Sequence, residues 1–260
     1  LNNMESLLDF ATLIKSKRSH FPLTVLTVVP NNDLAEQNLK KARKNLDSTA
    51  RYASGSEIEV NMMATIDYNI ASGISRAAKE VNADAIILGW PSKAGIIEKM
   101  VGEKSESILN STDANLFMCD INRSMVTHKR ITVCCPPLAE SELGFEFWLE
   151  KVFRLSQELT IGVLFVCDRR TQVSIEMYME EKKQSARIQF ADLEDWDDLT
   201  GMKAHSQDGD LIIVVSARSG DVSHRSSLVG LPLKLARLYQ NDNRILVYPS
   251  RRPGYLSDDY

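Results

Sequence analysis

Apolar residues along this chain recur at two alternating spacings. Ala85 to Leu88 is a short apolar run rich in isoleucine, bounded by Asp84 and by Gly89-Trp-Pro-Ser, which suits a strand buried on both faces of a parallel sheet. Ahead of it, Ile70, Ile74, Ala77, Ala78 and Val81 recur at helical spacing, with Arg76, Lys79 and Glu80 on the other side. A helix therefore packs on a sheet. The same alternation predicts helix at about Met4–Lys17, strand Leu23–Val29, helix Asp33–Tyr52, strand Ile58–Ile66, helix Asn69–Val81, strand Ala85–Leu88, helix Lys104–Asn110 and strand Ala114–Asp120. Strands alternating with helices through short turns mean parallel βαβ units with helices on both faces.

The second half repeats that order. It predicts strand Arg130–Cys135, helix Gly144–Leu159, strand Ile161–Cys167, helix Gln172–Gln184 and strand Arg187–Leu193. A short helix at Leu199–Ala204, strand Asp210–Ser216, helix Leu231–Tyr239 and strand Arg244–Tyr248 complete it. The pattern is an internal duplication of architecture, with a first domain over 1–121, a polar linker, a second domain over 129–250 and a tail at 251–260. One element is unmatched: the second unit opens on a strand, whereas the first opens directly on a helix. The chain therefore reads as a piece of a longer polypeptide, cut just after a strand.

Composition narrows the classes. The 260 residues are 43% hydrophobic and 25% charged, the mix of an ordinary globular protein. A net charge of −4, with lysines and acids interspersed, argues against nucleic acid or an anionic membrane surface as partner. No apolar run approaches the roughly 18–20 residues that cross a bilayer, and a basic-then-apolar leader pattern is missing, so the chain is expected to be soluble by itself.

The loop after Leu88 carries the candidate chemistry. Gly89 opens it, Gly95 and Gly102 follow, and Gly102 precedes a predicted helix start, where backbone amides and the helix dipole could hold phosphate. This stretch resembles the second half of a universal stress protein domain, whose ATP-binding members have Gly, two residues, Gly, nine residues, then Gly-Ser or Gly-Thr. Here the frame is Gly89, Ser92 in place of the second glycine, nine residues, Gly102, and Glu103 in place of the hydroxyl residue. The spacing survives and two of the four residues do not. A carboxylate at Glu103 would sit in the partial positive charge that a phosphate needs and would repel a triphosphate. Ser92 restricts the backbone where it should approach a ligand; Lys93, Lys99 and Lys104 offset this only in part. The resemblance implies two α/β domains, each a parallel sheet of order 3-2-1-4-5 with helices on both faces. The opening strand, which lies in mid-sheet in that order, is missing from the first.

A closer likeness lies in Ile66-Asp67-Tyr68-Asn69-Ile70-Ala71-Ser72-Gly73-Ile74 followed by Ile86-Ile87-Leu88-Gly89-Trp90. This resembles the tandem cytosolic tail of bacterial monovalent cation:proton antiporters of the Na+/H+ type. Its specific residues lie within 63–109, and the second unit matches by topology alone. The resemblance implies a non-catalytic regulatory domain on the cytoplasmic face of the inner membrane. Its partner would be the membrane antiporter domain of the same polypeptide, it would have no cofactor of its own, and it could pair as a homodimer. The alternative is a free-standing tandem stress protein that binds ATP or AMP through Gly89, Ser92 and Gly102.

Other candidates carry less. Asp192-Leu-Glu-Asp-Trp-Asp-Asp198 holds five acids in seven positions but lacks the turn glycine of a calcium loop, so Asp197 and Asp198 are expected to cap the next helix. The segment from Ser216 to Pro232 brings Arg218, Arg225, Gly220, Gly230 and several serines past a strand end and could hold an anion, although such residues are common in exposed loops. The exit of the second unit's first strand, Cys135-Pro136-Pro137, lacks the aspartate that ATP-binding relatives place there. Cys119, Cys134, Cys135 and Cys167 read as buried core thiols, His20, His128, His205 and His224 as surface residues, and Trp90 as an aromatic lining a cleft. No nucleophile with an adjacent base can be assembled.

Overall fold

The computed structural model describes residues 2–17, 19–55, 58–90, 107–193 and 195–252. They form two compact units, one from the described residues of 2–86 and 107–113, the other from 87–90 and 114–252.

In the first unit, α1 (Asn2–Ile14), β1 (Leu23–Pro30), α2 (Ala35–Ala53), β2 (Val60–Asp67) and α3 (Ile70–Glu80) follow in order. β1 and β2 pair in parallel from Leu23↔Val60 to Pro30↔Asp67. Alternate positions of β1 face the helices: Val25 packs with Leu8, Leu46 and Ala53, and Val29 with Ala35 and Ala42. Asn69 starts α3 with a reciprocal cap, its side chain accepting from the Ser72 amide while Ser72 Oγ accepts from the Asn69 amide. Gly73 lets α3 approach the sheet, because a Cβ there would lie 2.4 Å from Val28 Cγ1. Residues 107–111 are helical and tie to α3, with Ser75 Oγ donating to Ser111 O at 2.5 Å.

The second unit is built on a seven-stranded sheet. Its elements are β3 (Ala85–Gly89), β4 (Asn115–Asp120), β5 (Arg130–Cys134), α4 (Phe145–Leu159), β6 (Gly162–Val166), α5 (Arg169–Glu181), β7 (Ile188–Ala191), α6 (Gly201–His205), β8 (Asp210–Val215), α7 (Leu231–Leu238) and β9 (Arg244–Tyr248). The order is β3-β4-β9-β8-β5-β6-β7. From β7 to β9 every pairing is parallel and the sequence positions run third, second, first, fourth, fifth. β4 joins β9 antiparallel, Leu116↔Tyr248 to Asp120↔Arg244. Both faces of this sheet are covered: β8 and β9 are buried along their whole lengths, as continuous apolar strands of parallel sheets are. The apolar stripe of α4, Phe145, Trp148, Leu149, Val152, Phe153 and Leu155, is buried, with Phe153 edge-on to Phe165 at 5.9 Å.

The fold is α/β with a mostly parallel sheet, as the pattern predicts. The second half has the order 3-2-1-4-5; the first half, expected to lack its opening strand, divides its four strands between β1-β2 and the β3-β4 end of the larger sheet. No strand stands beside β1 to link the two pairs among the described residues. The linker at 121–128 is also more structured than its polarity suggests. Asn243 accepts from the amides of Asn122 and Arg123 and donates to Arg123 O, fixing the 3₁₀ turn Met125–Thr127.

Candidate functional site

In open parallel sheets ligands sit beyond the carboxyl ends of the strands. Of the sequence-predicted residues, Gly89 ends β3; Ser92, Gly102 and Glu103 lie outside the described residues, as do Lys93, Lys99 and Lys104. Trp90 turns back against the sheet: its amide donates to Cys119 O at 2.7 Å and the Arg244 guanidinium lies 5.0 Å from its ring centre. Arg244 is itself buried, donating to Asp120 and to Tyr239 O. Trp90 thus faces a buried cation.

At the carboxyl end of the first unit's pair, Asp67 gathers the polar groups. Its carboxylate accepts from Ser72 Oγ at 2.6 Å, the Tyr68 amide at 2.8 Å and Arg76 Nε at 2.9 Å. The Ser72 hydroxyl first, then Arg76, hold the carboxyl below its usual range. The amino end of α3 is therefore already served by two of the chain's own side chains, Asn69 and Asp67.

The second unit shows the same self-satisfaction in more detail. After β5, the chain turns through Leu138 in the left-handed region (φ 69°) and a 3₁₀ turn at Ala139–Ser141. That turn sends two carboxylates to neighbouring loops. Glu140 accepts from Thr171 Oγ1 at 2.8 Å and pairs with Arg170 at 2.9 Å, both at the start of α5. Glu142 accepts from the amide and hydroxyl of Ser223, at 2.9 and 2.6 Å, in the loop after β8. An amide and a hydroxyl converging on one oxygen are donors of the kind a phosphate uses, and here a carboxylate holds them. The amino end of α4 is closed sterically, since a Cβ on its cap Gly144 would lie 2.3 Å from Ser250 N and 2.7 Å from Asn115 Oδ1.

The loop after β8 needs a correction. Arg218 does not present its guanidinium to a ligand: it is buried and donates to Pro249 O and, at 2.7 Å, to Ala114 O, fastening the end of β9 to the start of β4. Asp221, in the same loop, accepts from the Arg218 amide and from Arg251 Nε. Arg225 is half-buried on that loop. Three of the acids at 192–198 are also spoken for. Asp192 accepts from Gln172, Asp195 from the Asp197 amide, and Asp198 from Thr200 N and Oγ1 ahead of α6. The expected capping by Asp197 and Asp198 is not found: α6 starts behind Thr200 without a side-chain cap, and Asp198 holds the amide and hydroxyl of Thr200 itself.

His128 overturns the surface reading. It is buried, its Nδ1 3.2 Å from Gly209 O and its Nε2 2.9 Å from Asn243 Nδ2. With Asn243 donating to Nε2, the Nδ1 proton points to Gly209 O and the ring is neutral; burial pulls its pKa below 6.5. All four cysteines are buried and free, as expected, and burial pushes Cys134 up to about 12. Sequence reasoning missed Glu140 and Glu142. Their signal was a Glu-Ser-Glu run directly past a Pro-Pro strand exit.

Residues 5–119 match the sequence model of the universal stress protein family. The fold of the whole chain is similar to solved structures of that type. A universal stress protein from Archaeoglobus fulgidus matches with a TM-score of 0.65 at 14% identity, over 95% of this chain and 91% of that one. A putative universal stress protein from Pseudomonas aeruginosa gives 0.58 at 12%, over 93% and 87%. The cytoplasmic domain of a prokaryotic cation chloride cotransporter gives 0.57 at 10%, over 96% and 93%. Among curated proteins, none matches this chain. The fold is thus the universal stress protein type of α/β fold. No helix among the described residues is long and apolar enough to cross a membrane.

Proposed function

We propose that this chain is the non-catalytic cytosolic regulatory part of a membrane cation:proton antiporter, built on two universal-stress-like units whose nucleotide-type sites are degenerate. The observation that carries this reading is Glu142 on the Ser223 amide and hydroxyl, a carboxylate seated where an anionic ligand would find its donors. The match of residues 5–119 to the universal stress protein family and the fold likeness to a transporter's cytoplasmic domain support the setting. Regulation then works by conformation: the tail contacts the membrane domain of the same polypeptide, and any effector acts through different affinity for two arrangements.

Two measurements test it. Calorimetric titration with ATP and with AMP should give no binding at micromolar concentrations; micromolar binding would establish the alternative, a free-standing tandem stress protein. Cation:proton exchange in membrane vesicles, with and without this chain behind the antiporter, should differ in its dependence on pH or cation concentration. Identical profiles would remove the regulatory role.

A further inference from the structure

We propose that a recess at the amino ends of β5, β6 and β7 binds a phosphate-bearing anion between Arg130 and Arg187. The recess measures about 310 Å³; three of its lining residues, Lys129, Arg130 and Arg187, are cations and none is an acid. Strand register creates it. Arg130 pairs with Gly162 across β5 and β6, and Val163 pairs with Ile188 across β6 and β7 while donating to Arg187 O. One step back along the second pairing, Gly162 stands beside Arg187. Arg130, Gly162 and Arg187 therefore form one row across three strands, and residues in a row share a face of the sheet. The middle member has no side chain: a Cβ on Gly162 would lie 3.9 Å from Arg187 Cβ, so the glycine leaves a gap between two arginines.

The three cations are held differently. Arg130 donates through Nε and Nη2 to Asp210 and through Nη2 to His205 O, which fixes its guanidinium and leaves Nη1 without a partner among the described residues. Asp210 balances that charge. Arg187 and Lys129 are exposed, and their side chains make no hydrogen bond or ion pair among the described residues. The recess thus carries two unbalanced positive charges, which a dianion matches. A guanidinium offers a planar fork of N–H donors that fits phosphate oxygens, and an ammonium adds a point charge beside it. At the small end of the roughly 300–1,000 Å³ of ligand pockets, the space suits pyrophosphate or a phosphate monoester rather than a whole nucleotide. It lies at the end of the strands opposite the degenerate nucleotide-type positions and is independent of their state. Because solvent reaches both free cations and screens them, the affinity should be millimolar rather than micromolar.

The test is an amide NMR titration of the whole chain with inorganic pyrophosphate at constant ionic strength. A parallel arm measures retention on phosphatidylcholine vesicles with and without phosphatidic acid. Millimolar pyrophosphate should shift the amides of Gly162, Val163, Ile188 and Gln189, and Arg187→Gln should weaken that response by about tenfold or more. Gly162→Val keeps every charge but fills the gap, and it should abolish the response; its Cβ would meet Arg187 O at 3.3 Å, which a small local shift accommodates. Lys40→Gln with Lys44→Gln removes two exposed charges from α2 and should leave the affinity within about twofold. A response to pyrophosphate alone marks a soluble ligand, whereas retention that needs phosphatidic acid and fails in the same variants marks a lipid headgroup; either supports the site. No response in either arm would overturn it. So would a folded Gly162→Val chain that binds like the parent, or an equal loss in the Lys40 and Lys44 double variant. Should Gly162→Val fail to fold, Arg187→Gln, at an exposed position, decides: unchanged binding there overturns the proposal.

Discussion

Replacing Arg218 separates a structural cation from an anion-binding one. Its guanidinium donates to Pro249 O and Ala114 O in a buried setting. A hydrogen bond from a charged donor contributes about 1.5–3 kcal/mol, and carbonyls left unpaired keep their desolvation cost. Arg218→Met, which preserves the aliphatic stem, should therefore destabilise the second unit by about 3–6 kcal/mol. Arg218→Lys can reach one carbonyl and should recover about half of that. Arg225→Met, on the same loop, should stay within about 0.5 kcal/mol of the parent. Urea unfolding followed by tryptophan fluorescence is the assay, because Trp90, Trp148 and Trp196 all belong to the second unit and report it alone. An Arg218→Met midpoint equal to that of Arg225→Met would refute the reasoning. Inorganic phosphate that stabilises the parent but not Arg218→Met would refute it as well.

Three further outcomes follow from the geometry. Gly73→Ala puts a Cβ against the stiff Val28 side chain; overpacking of about 1–3 kcal/mol, less about 1 kcal/mol gained in helix propensity, should leave a net loss near 1 kcal/mol. Adding Val28→Ala should relieve it, so that circular-dichroism melts of the double-mutant cycle show favourable coupling, and strict additivity would count against the contact. His128 has a folded pKa below 6.5, so the unfolded chain binds more protons and stability should fall as pH drops from about 6.5 through the folded value; His128→Gln should flatten that slope in urea titrations from pH 7 to 5. The buried, protonated thiols should react with an aromatic disulfide reagent only after unfolding, all four together in denaturant, whereas fast native labelling of any one would contradict the burial.

The elements were legible because the chain is locally consistent. β1, β2, β3, β4, β5, β8 and β9 fall within a residue or two of their apolar runs, and α3 starts within a residue of its expected Asn69, which turns out to be its cap. α5 starts earlier than its hydrophobic pattern, at Arg169, because the Asp168 side chain takes the Thr171 amide and the first turn is polar. The ends of the sheet were harder. Antiparallel pairing of β4 with β9 joins residues more than a hundred positions apart, and nothing in either strand's composition announces it. The candidate sites were less legible. Most of the glycine frame lies outside the described residues, and spacing could not say that Arg218 turns inward, that Glu142 reaches Ser223 or that His128 is sealed by Asn243. Each of these depends on which loop lies opposite, a matter of tertiary placement rather than local preference.

The antiparallel seam also governs how this molecule can be dissected. β9 is buried over all five residues, and one of its two edges is clothed only by β4. A protein trimmed to begin after β4 would carry a bare, flat, Ile-Leu-Val ribbon, the kind of surface on which chains stick to one another. Scissors applied between the halves would therefore yield not a well-behaved module but a precipitate, unless β4 travels with the later half.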